Sequence, residues 1–339
     1  LNLGDSDVQF LGENALDRMG HSITSAGDMD GDGLDDVVMG AYGNSDAGVS
    51  AGKAYLVMSS SIGDEERFDL NDADYAWVGE AAGDQAGYIT AAGGDVDGDG
   101  LDDIFLASLR NKEGGEGMSP SGEDGAGKIY VILGDDLSSL GTIGNLADVD
   151  RTWLGEQGGD AVGYGTHGLG DADGDGLDDL ITGSFGNDES AENAGKVYVV
   201  LASSMQTTGV QSLAEADYGF VGEGEEHWAG FAAAPAGDVD ADGRADVLVG
   251  AFRYSIPEEE LFDAGKTYLV RMGELSGSGT HELRDADSSW VGEQLSDTAG
   301  YKVAGVGDVN GDGLPDLLVG GWQGDLALSP GKAWLLLNP

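Results

Sequence analysis

The chain has no cysteine, six prolines, and only 15 lysines and arginines against 64 aspartates and glutamates. Without cysteine there is no disulfide framework, no thiolate metal site and no cysteine nucleophile. A formal net charge of −49 excludes general electrostatic attraction to nucleic acid or to anionic lipid. No apolar run approaches the roughly 18 residues of a membrane span, so membrane insertion is not expected. No stretch keeps helical periodicity long enough for a substantial helix. Asn-x-Ser/Thr acceptor sites are also missing, which favours a bacterial secreted origin over a glycosylated animal one. The first residue is Leu1, as expected if an export signal has been removed or lies outside the sequence.

What the chain has in abundance is acid, and much of it is concentrated in one repeated stretch. Nine-residue loops begin at Asp28, Asp95, Asp171, Asp238 and Asp308 and together hold 22 of the 64 acids. Oxygen-bearing side chains stand at the first, third, fifth and ninth positions, with glycine at the sixth. Two carboxylates 4 Å apart repel by about 4 kcal/mol at an effective dielectric near 20, so each loop needs a counter-charge. An all-oxygen cage selects calcium over thiophilic metals, and its size disfavours magnesium. The expected ligands are Asp28, Asp30, Asp32, Leu34 and Asp36 in the first loop, and Asp95, Asp97, Asp99, Leu101 and Asp103 in the second. Asp171, Asp173, Asp175, Leu177 and Asp179 form the third set, and Asp238, Asp240, Asp242, Arg244 and Asp246 the fourth. Asp308, Asn310, Asp312, Leu314 and Asp316 form the fifth, where Asn310 lowers the charge. The seventh residue of each loop is expected to offer its backbone carbonyl. About five calcium ions are therefore expected. A helical calcium hand needs a bidentate glutamate at the twelfth position, but Met39, Leu106, Thr182, Val249 and Val319 stand there.

The loops belong to a longer repeat. Gly-Glu markers end at Glu13, Glu80, Glu156, Glu223 and Glu293, and each loop starts 15 residues later. Gly-Lys markers end at Lys53, Lys128, Lys196, Lys266 and Lys332, and most length variation falls in the connection before them. Short runs of β-branched and aromatic residues between glycine and aspartate read as strands. Four such strands per unit predict an all-β, five-bladed β-propeller of four-stranded blades, in one domain spanning residues 1–339. Blades are expected at about 20–80, 87–156, 163–223, 230–293 and 300–339. Residues 2–13 match residues 145–156, which lead into a fourth strand, whereas the last unit lacks one. The N-terminal strand at 7–13 is therefore expected to complete blade five and close the ring, removing exposed edges.

This arrangement resembles the FG-GAP repeats that build the propeller of integrin α subunits and of many bacterial secreted proteins. Gly87-Tyr88, Gly163-Tyr164, Gly230-Phe231 and Gly300-Tyr301 occupy the FG position, and Gly20-His21 departs from it. Gly40-Ala-Tyr42, Gly183-Ser-Phe185, Gly250-Ala-Phe252 and Gly320-Gly-Trp322 occupy the GAP position, from which Ala107-Ser-Leu109 departs. The resemblance covers essentially the whole chain and implies calcium loops on the face away from the ligand-binding loops. Integrin propellers have seven blades, so the expected five differ.

Variable loops on a rigid frame are where binding concentrates. On the face opposite the acidic loops, His227 and Trp228 interrupt the pattern seen at Asp84, Asp160 and Asp297, with Arg253 and Tyr254 nearby and Arg110 in the second blade. These five are the candidate ligand contacts, while Tyr42, Phe185, Phe252 and Trp322 share one repeat position and read as a structural aromatic ring. The expected function is a calcium-stabilised, secreted or cell-surface adhesion module that recognises an extracellular protein or glycan. It is expected as a monomer or as one domain of a larger secreted protein. No catalytic residue is assigned: His21, His167, His227 and His281 hold unrelated repeat positions, and Gly48-Val-Ser-Ala-Gly52 lacks the strand-to-helix setting of a nucleophile elbow. The alternative is a glycosidase-like enzyme with paired carboxylates at the propeller axis.

Overall fold

The computed structural model describes residues 6–63, 67–122, 124–322 and 331–337. Residues 1–5 of the opening segment, and 323–330 and 338–339 of the fifth expected blade, lie outside the described residues. Strands dominate, with two four-residue α-helices at Leu137–Leu140 and Ala202–Met205. No described helix is long and apolar enough to cross a membrane. Six sheets form, one of two strands and five of three to five, in an all-β propeller architecture.

The first large sheet takes Ser22–Gly27, Asp36–Gly40, Lys53–Val57 and Tyr75–Val78 in order, each antiparallel to the last. The other large sheets repeat this course, beginning at Ala86–Gly94, Val162–Gly170, Ala232–Gly237 and Ala299–Gly305. In the sheets between two neighbours the second and third strands are nearly continuous apolar runs because both faces are covered. Asp103–Ser108, Lys128–Ile132 and Asp179–Ser184 are buried at every residue. The first strands pack side by side about an axis, where space is short. A side chain at Gly165, whose φ is +60°, would lie 2.4 Å from the Ala233 nitrogen of the next sheet. At Gly165 the absence of a side chain is a steric requirement. The first strands surround an axial cavity of about 460 Å³ that includes His167, as expected of a channel residue.

Two features depart from the sequence reading. Among the described residues, the connection after each of the first four third strands carries a further short strand that pairs in parallel with a fourth-type strand of the preceding repeat. Ile143–Asn145 lies beside Tyr75–Val78, Gly209–Ser212 beside Arg151–Leu154, and Gly279–Glu282 beside Tyr218–Val221. Three sheets thus have five strands rather than four, and each crosses an expected blade boundary.

The second departure concerns closure of the ring. Gln9–Leu11 pairs with Arg67–Asp69, as a fourth strand pairs with its follower, but not with the last sheet. Among the described residues Lys332–Leu336 has Leu317–Gly321 as its sole strand partner, so the expected seam is not formed. The N-terminal segment is instead held by its other side: Glu13 binds Lys53, and Phe10 and Met19 pack on the core of the first sheet. Leu335 and Leu337 stay exposed where a fourth strand was expected.

Candidate metal centres and the opposite loop face

Each acidic loop is folded around its first aspartate. In the first loop Gly31 N–H donates to Asp28 Oδ1 at 2.8 Å and Gly33 N–H to Oδ2 at 2.9 Å. The third loop repeats this with Gly174 and Gly176 on Asp171. Seventh-position amides donate to the fifth-position carboxylate, as Leu34 to Asp32, Leu101 to Asp99, Leu177 to Asp175, Arg244 to Asp242 and Leu314 to Asp312. This turns the backbone back toward the strand that follows.

The ninth aspartate is fully buried in all five loops. It joins two connections of the same sheet: Asp103 accepts from Val96 N–H at 2.8 Å and from Gly134 N–H at 2.9 Å, beyond the third strand. Asp36, Asp179 and Asp246 bridge in the same way. The acidic loops therefore share a face with the third-to-fourth connections, as the sequence implies. Burial, reinforced by the neighbouring loop carboxylates, pushes Asp103, Asp179 and Asp246 up to about 7. A buried carboxylate in that state calls for a cation.

Carboxylate oxygens converge within 4.8 Å of one another in four loops. The groups are Asp28, Asp30 and Asp32; Asp95, Asp97 and Asp99; Asp171, Asp173 and Asp179; and Asp238, Asp240 and Asp246. All donors are oxygen, which fits a hard divalent cation such as calcium. In the fifth loop Asn310 Nδ2 donates to Asp312 at 2.9 Å, so an amide replaces one carboxylate. The fourth loop has a local cation as well, Arg271, 3.8 Å from Asp240.

The eighth position has a role the sequence reading missed. Asp102 accepts from Asp28 N–H at 2.7 Å and Asp178 from Asp95 N–H at 3.1 Å, so each ties its loop to the one before. Ala245 and Pro315 occupy this position in the last two loops and lack the carboxylate.

On the opposite face each Gly-Lys lysine meets the Gly-Glu glutamate of the neighbouring sheet. Lys53–Glu13, Lys128–Glu80, Lys196–Glu156, Lys266–Glu223 and Lys332–Glu293 lie at 2.5–2.8 Å. Lys53, Lys128, Lys196 and Lys266 also rest over the ring of Tyr55, Tyr130, Tyr198 and Tyr268, two residues on. Four residues beyond each glutamate stands Asp17, Asp84, Asp160 or Asp297, which accepts an amide of its own turn, as Asp84 does from Ala81.

Burial pushes Asp84 and Asp160 up to about 6, with the adjoining glutamate adding to the shift against their amide bonds. A carboxyl whose folded value is raised stabilises the fold at low pH and loses that contribution as pH rises through about 6. The Asp84→Asn and Asp160→Asn variants should therefore lose less melting temperature than the parent between pH 5 and 7.5. Thermal melts across that range check this, and parallel curves count against it.

His227 takes the place of that aspartate in the fourth sheet. Its Nδ1 is buried without a partner, burial holds its basicity below the usual histidine value, and its ring stacks on Tyr254 at 4.6 Å. The Arg253 guanidinium lies 4.6 Å over the Trp228 ring. The structure thus brings His227, Trp228, Arg253 and Tyr254 onto one part of the rim. Arg110 is bonded within its own loop, to Gly122 O at 3.2 Å.

Trp228 corrects an expectation. It was read as an exposed contact, yet it is 8% exposed, packed on Phe185 and Phe252, with its indole N–H on Glu226. Its backbone φ of 58° turns it inward, into a chain of rings running from His21 and Tyr42 through Tyr88, Tyr164, Phe231 and Phe252 to Tyr301 and Trp322. The aromatic ring expected from Tyr42, Phe185, Phe252 and Trp322 is present, and it takes in the aromatics of the neighbouring Gly-aromatic pairs.

Comparison with known proteins agrees with this geometry. The model of the FG-GAP repeat family matches residues 19–57 and 299–334. Integrin alpha pat-2 of Caenorhabditis briggsae is 31% identical over 271 residues, 76% of this chain and 19% of that protein. Integrin alpha-V of Gallus gallus is 27% identical over 249 residues, covering 71% and 20%. A phosphatidylinositol-glycan-specific phospholipase D of Dictyostelium discoideum is 27% identical over 276 residues, covering 78% and 28%. The chain thus spans about a fifth to a quarter of the length of these relatives.

Proposed function

Because the chain belongs to the FG-GAP, integrin α-like family, we propose that it is a calcium-stabilised extracellular binding module that contacts a protein or glycan through the face opposite its metal loops. The observation that carries this reading is the division of labour between faces. One holds four groups of converging carboxylates, each in a loop anchored by a buried ninth aspartate, and the other presents Arg253, Tyr254 and His227 on a frame locked by lysine–glutamate pairs. A metal-rigidified scaffold lowers the ordering cost of binding on the other rim.

In this reading four loops take calcium through their grouped aspartates, joined by seventh-position carbonyls. The fifth, with Asn310, binds more weakly. The repeats act as five blades with the boundaries expected above, in a secreted or cell-surface protein of which this chain is a monomer or one domain. A bacterial source rests on the missing glycosylation sites alone, and the relatives named above are eukaryotic.

Arg253 and Tyr254 are the expected ligand contacts, with His227 behind them and Trp228 as their platform. Arg110 would contribute only to a ligand reaching the second sheet. The adhesion reading is preferred to a glycosidase-like site at the axis because the lining of the axial cavity holds no carboxylate among the described residues. A glycan and peptide array probed with calcium-loaded protein should give hits that vanish with chelator and weaken at least about tenfold in Arg253→Ala. Hits indifferent to both changes would reject this face as the binding site.

A further inference from the structure

The seven lysines of this chain sit among 64 acids, and six of them are ion-paired with a carboxylate. The seventh, Lys302, has no hydrogen bond or ion pair among the described residues. It stands on the first strand of the fifth sheet, at the repeat position occupied elsewhere by Ser22, Ile89, Gly165 and Ala232. It lines the axial cavity of about 460 Å³, together with His167 of the third sheet. His167 likewise has no hydrogen-bond partner. Desolvation first and the Lys302 ammonium second hold its basicity below the usual value, and both side chains are open to the cavity they line.

The remaining lining is neutral or basic. Among the described residues Thr24 adds a hydroxyl with no intramolecular bond, His21 has Nδ1 against Tyr88 O, and no carboxylate faces the cavity. In a chain of net charge −49 an acid-free lumen with a cation on its wall is a local inversion of the field. An anion in the lumen offers the ammonium and an imidazole N–H an acceptor that the wall lacks among the described residues.

We propose that the axial cavity is a binding site for a small oxyanion, held by the Lys302 ammonium, an N–H of His167 and the Thr24 hydroxyl. The ligand class is a sulfate- or phosphate-like group, or a compact carboxylate, whose oxygens accept charge-assisted hydrogen bonds. Gly165 and Ala232, small where Lys302 is long, leave the room such a group requires. The site is separate from the rim cluster and from the metal loops, so it stands or falls independently of the adhesion reading.

The imidazole resonances of the calcium-loaded chain test it, because there are four histidines and His281 lies on an outer strand as an internal control. Sulfate and acetate, titrated separately at constant ionic strength, should shift His167 saturably and raise its titration midpoint, leaving His281 unmoved. The groups facing His167 in the cavity are Lys302 and His21, so no carboxylate titration competes with this readout. Lys302→Met, which breaks no ion pair, should weaken the anion at least about tenfold. A response to sulfate alone assigns a tetrahedral oxyanion, and to acetate alone a carboxylate. The proposal is overturned if neither anion moves His167, if His281 moves with it, or if Lys302→Met responds like the parent. Should that variant fail to fold, the His167 response of the parent decides alone.

Discussion

Chelating divalent cations from this chain should lower its melting temperature by roughly 20 °C. A site whose free calcium stands at 100 times its dissociation constant contributes about 2.7 kcal/mol, so four sites contribute about 11 kcal/mol. At roughly 2 °C per kcal/mol for a large domain, the shift follows. The structural cause is the set of buried aspartates. Asp36, Asp103, Asp179 and Asp246 each fix two connections, and without a cation each leaves a charged or protonated carboxyl beside other acids. Magnesium should restore little. Oxygens on opposite sides of calcium lie about 4.6–5.2 Å apart, whereas magnesium's shorter bonds require about 4.0–4.2 Å. Calorimetry with chelator, calcium and magnesium reads this directly, and superimposable melts would dispose of the metal reading.

The second large effect is expected at Lys196. Its ammonium is almost fully buried, paired with Glu156 at 2.7 Å and with Glu189, while Tyr198 O–H also donates to Glu156. Removing one partner of a buried pair leaves an uncompensated charge and costs about 3–5 kcal/mol. Lys196→Ala should lose that much in denaturant unfolding, and Lys196→Met combined with Glu156→Gln should recover part of it. Lys112, paired with Asp124 where both are two-fifths exposed, is the contrast, and Lys112→Ala should cost at most about 1 kcal/mol. Equal losses at the two lysines would mean that the lock between sheets contributes no more than a surface pair.

The parts of this molecule that were legible in its sequence are those imposed by local chemistry. Aspartates spaced around a glycine turn have few uses besides a cation, and the constant 15-residue interval fixed which strand followed them. Strand type at Gln9–Leu11 was also readable, since it carries a fourth-strand pattern and pairs on one edge as a fourth strand does. What lay against its other edge was not, because a strand's pattern specifies its faces and leaves its neighbour open. The parallel strands such as Gly279-Thr-His-Glu282 escaped notice for a related reason. They are short, polar and mostly exposed, and backbone hydrogen bonds to a distant sheet leave no hydrophobic periodicity. Trp228 misled because an interruption of the repeat looks like a surface specialisation, whereas it filled a place in the aromatic ring. Asp102 and Asp178 were counted as loop charge, and only the fold shows them reaching the preceding loop.

Those parallel strands also impose an order of events on a chain that emerges from one end. Tyr75–Val78 is finished on its outer edge by Ile143–Asn145, and Arg151–Leu154 by Gly209–Ser212, each drawn from the following repeat. As the polypeptide leaves a ribosome or an export channel, each of the three sheets finished in this way therefore carries an unsealed edge until most of its successor has appeared. The most recently emerged repeat is the vulnerable one, and a pause in synthesis or export exposes one open edge at a time. Overlap of this kind favours folding from the N-terminal side onward, with each repeat closing the one before it.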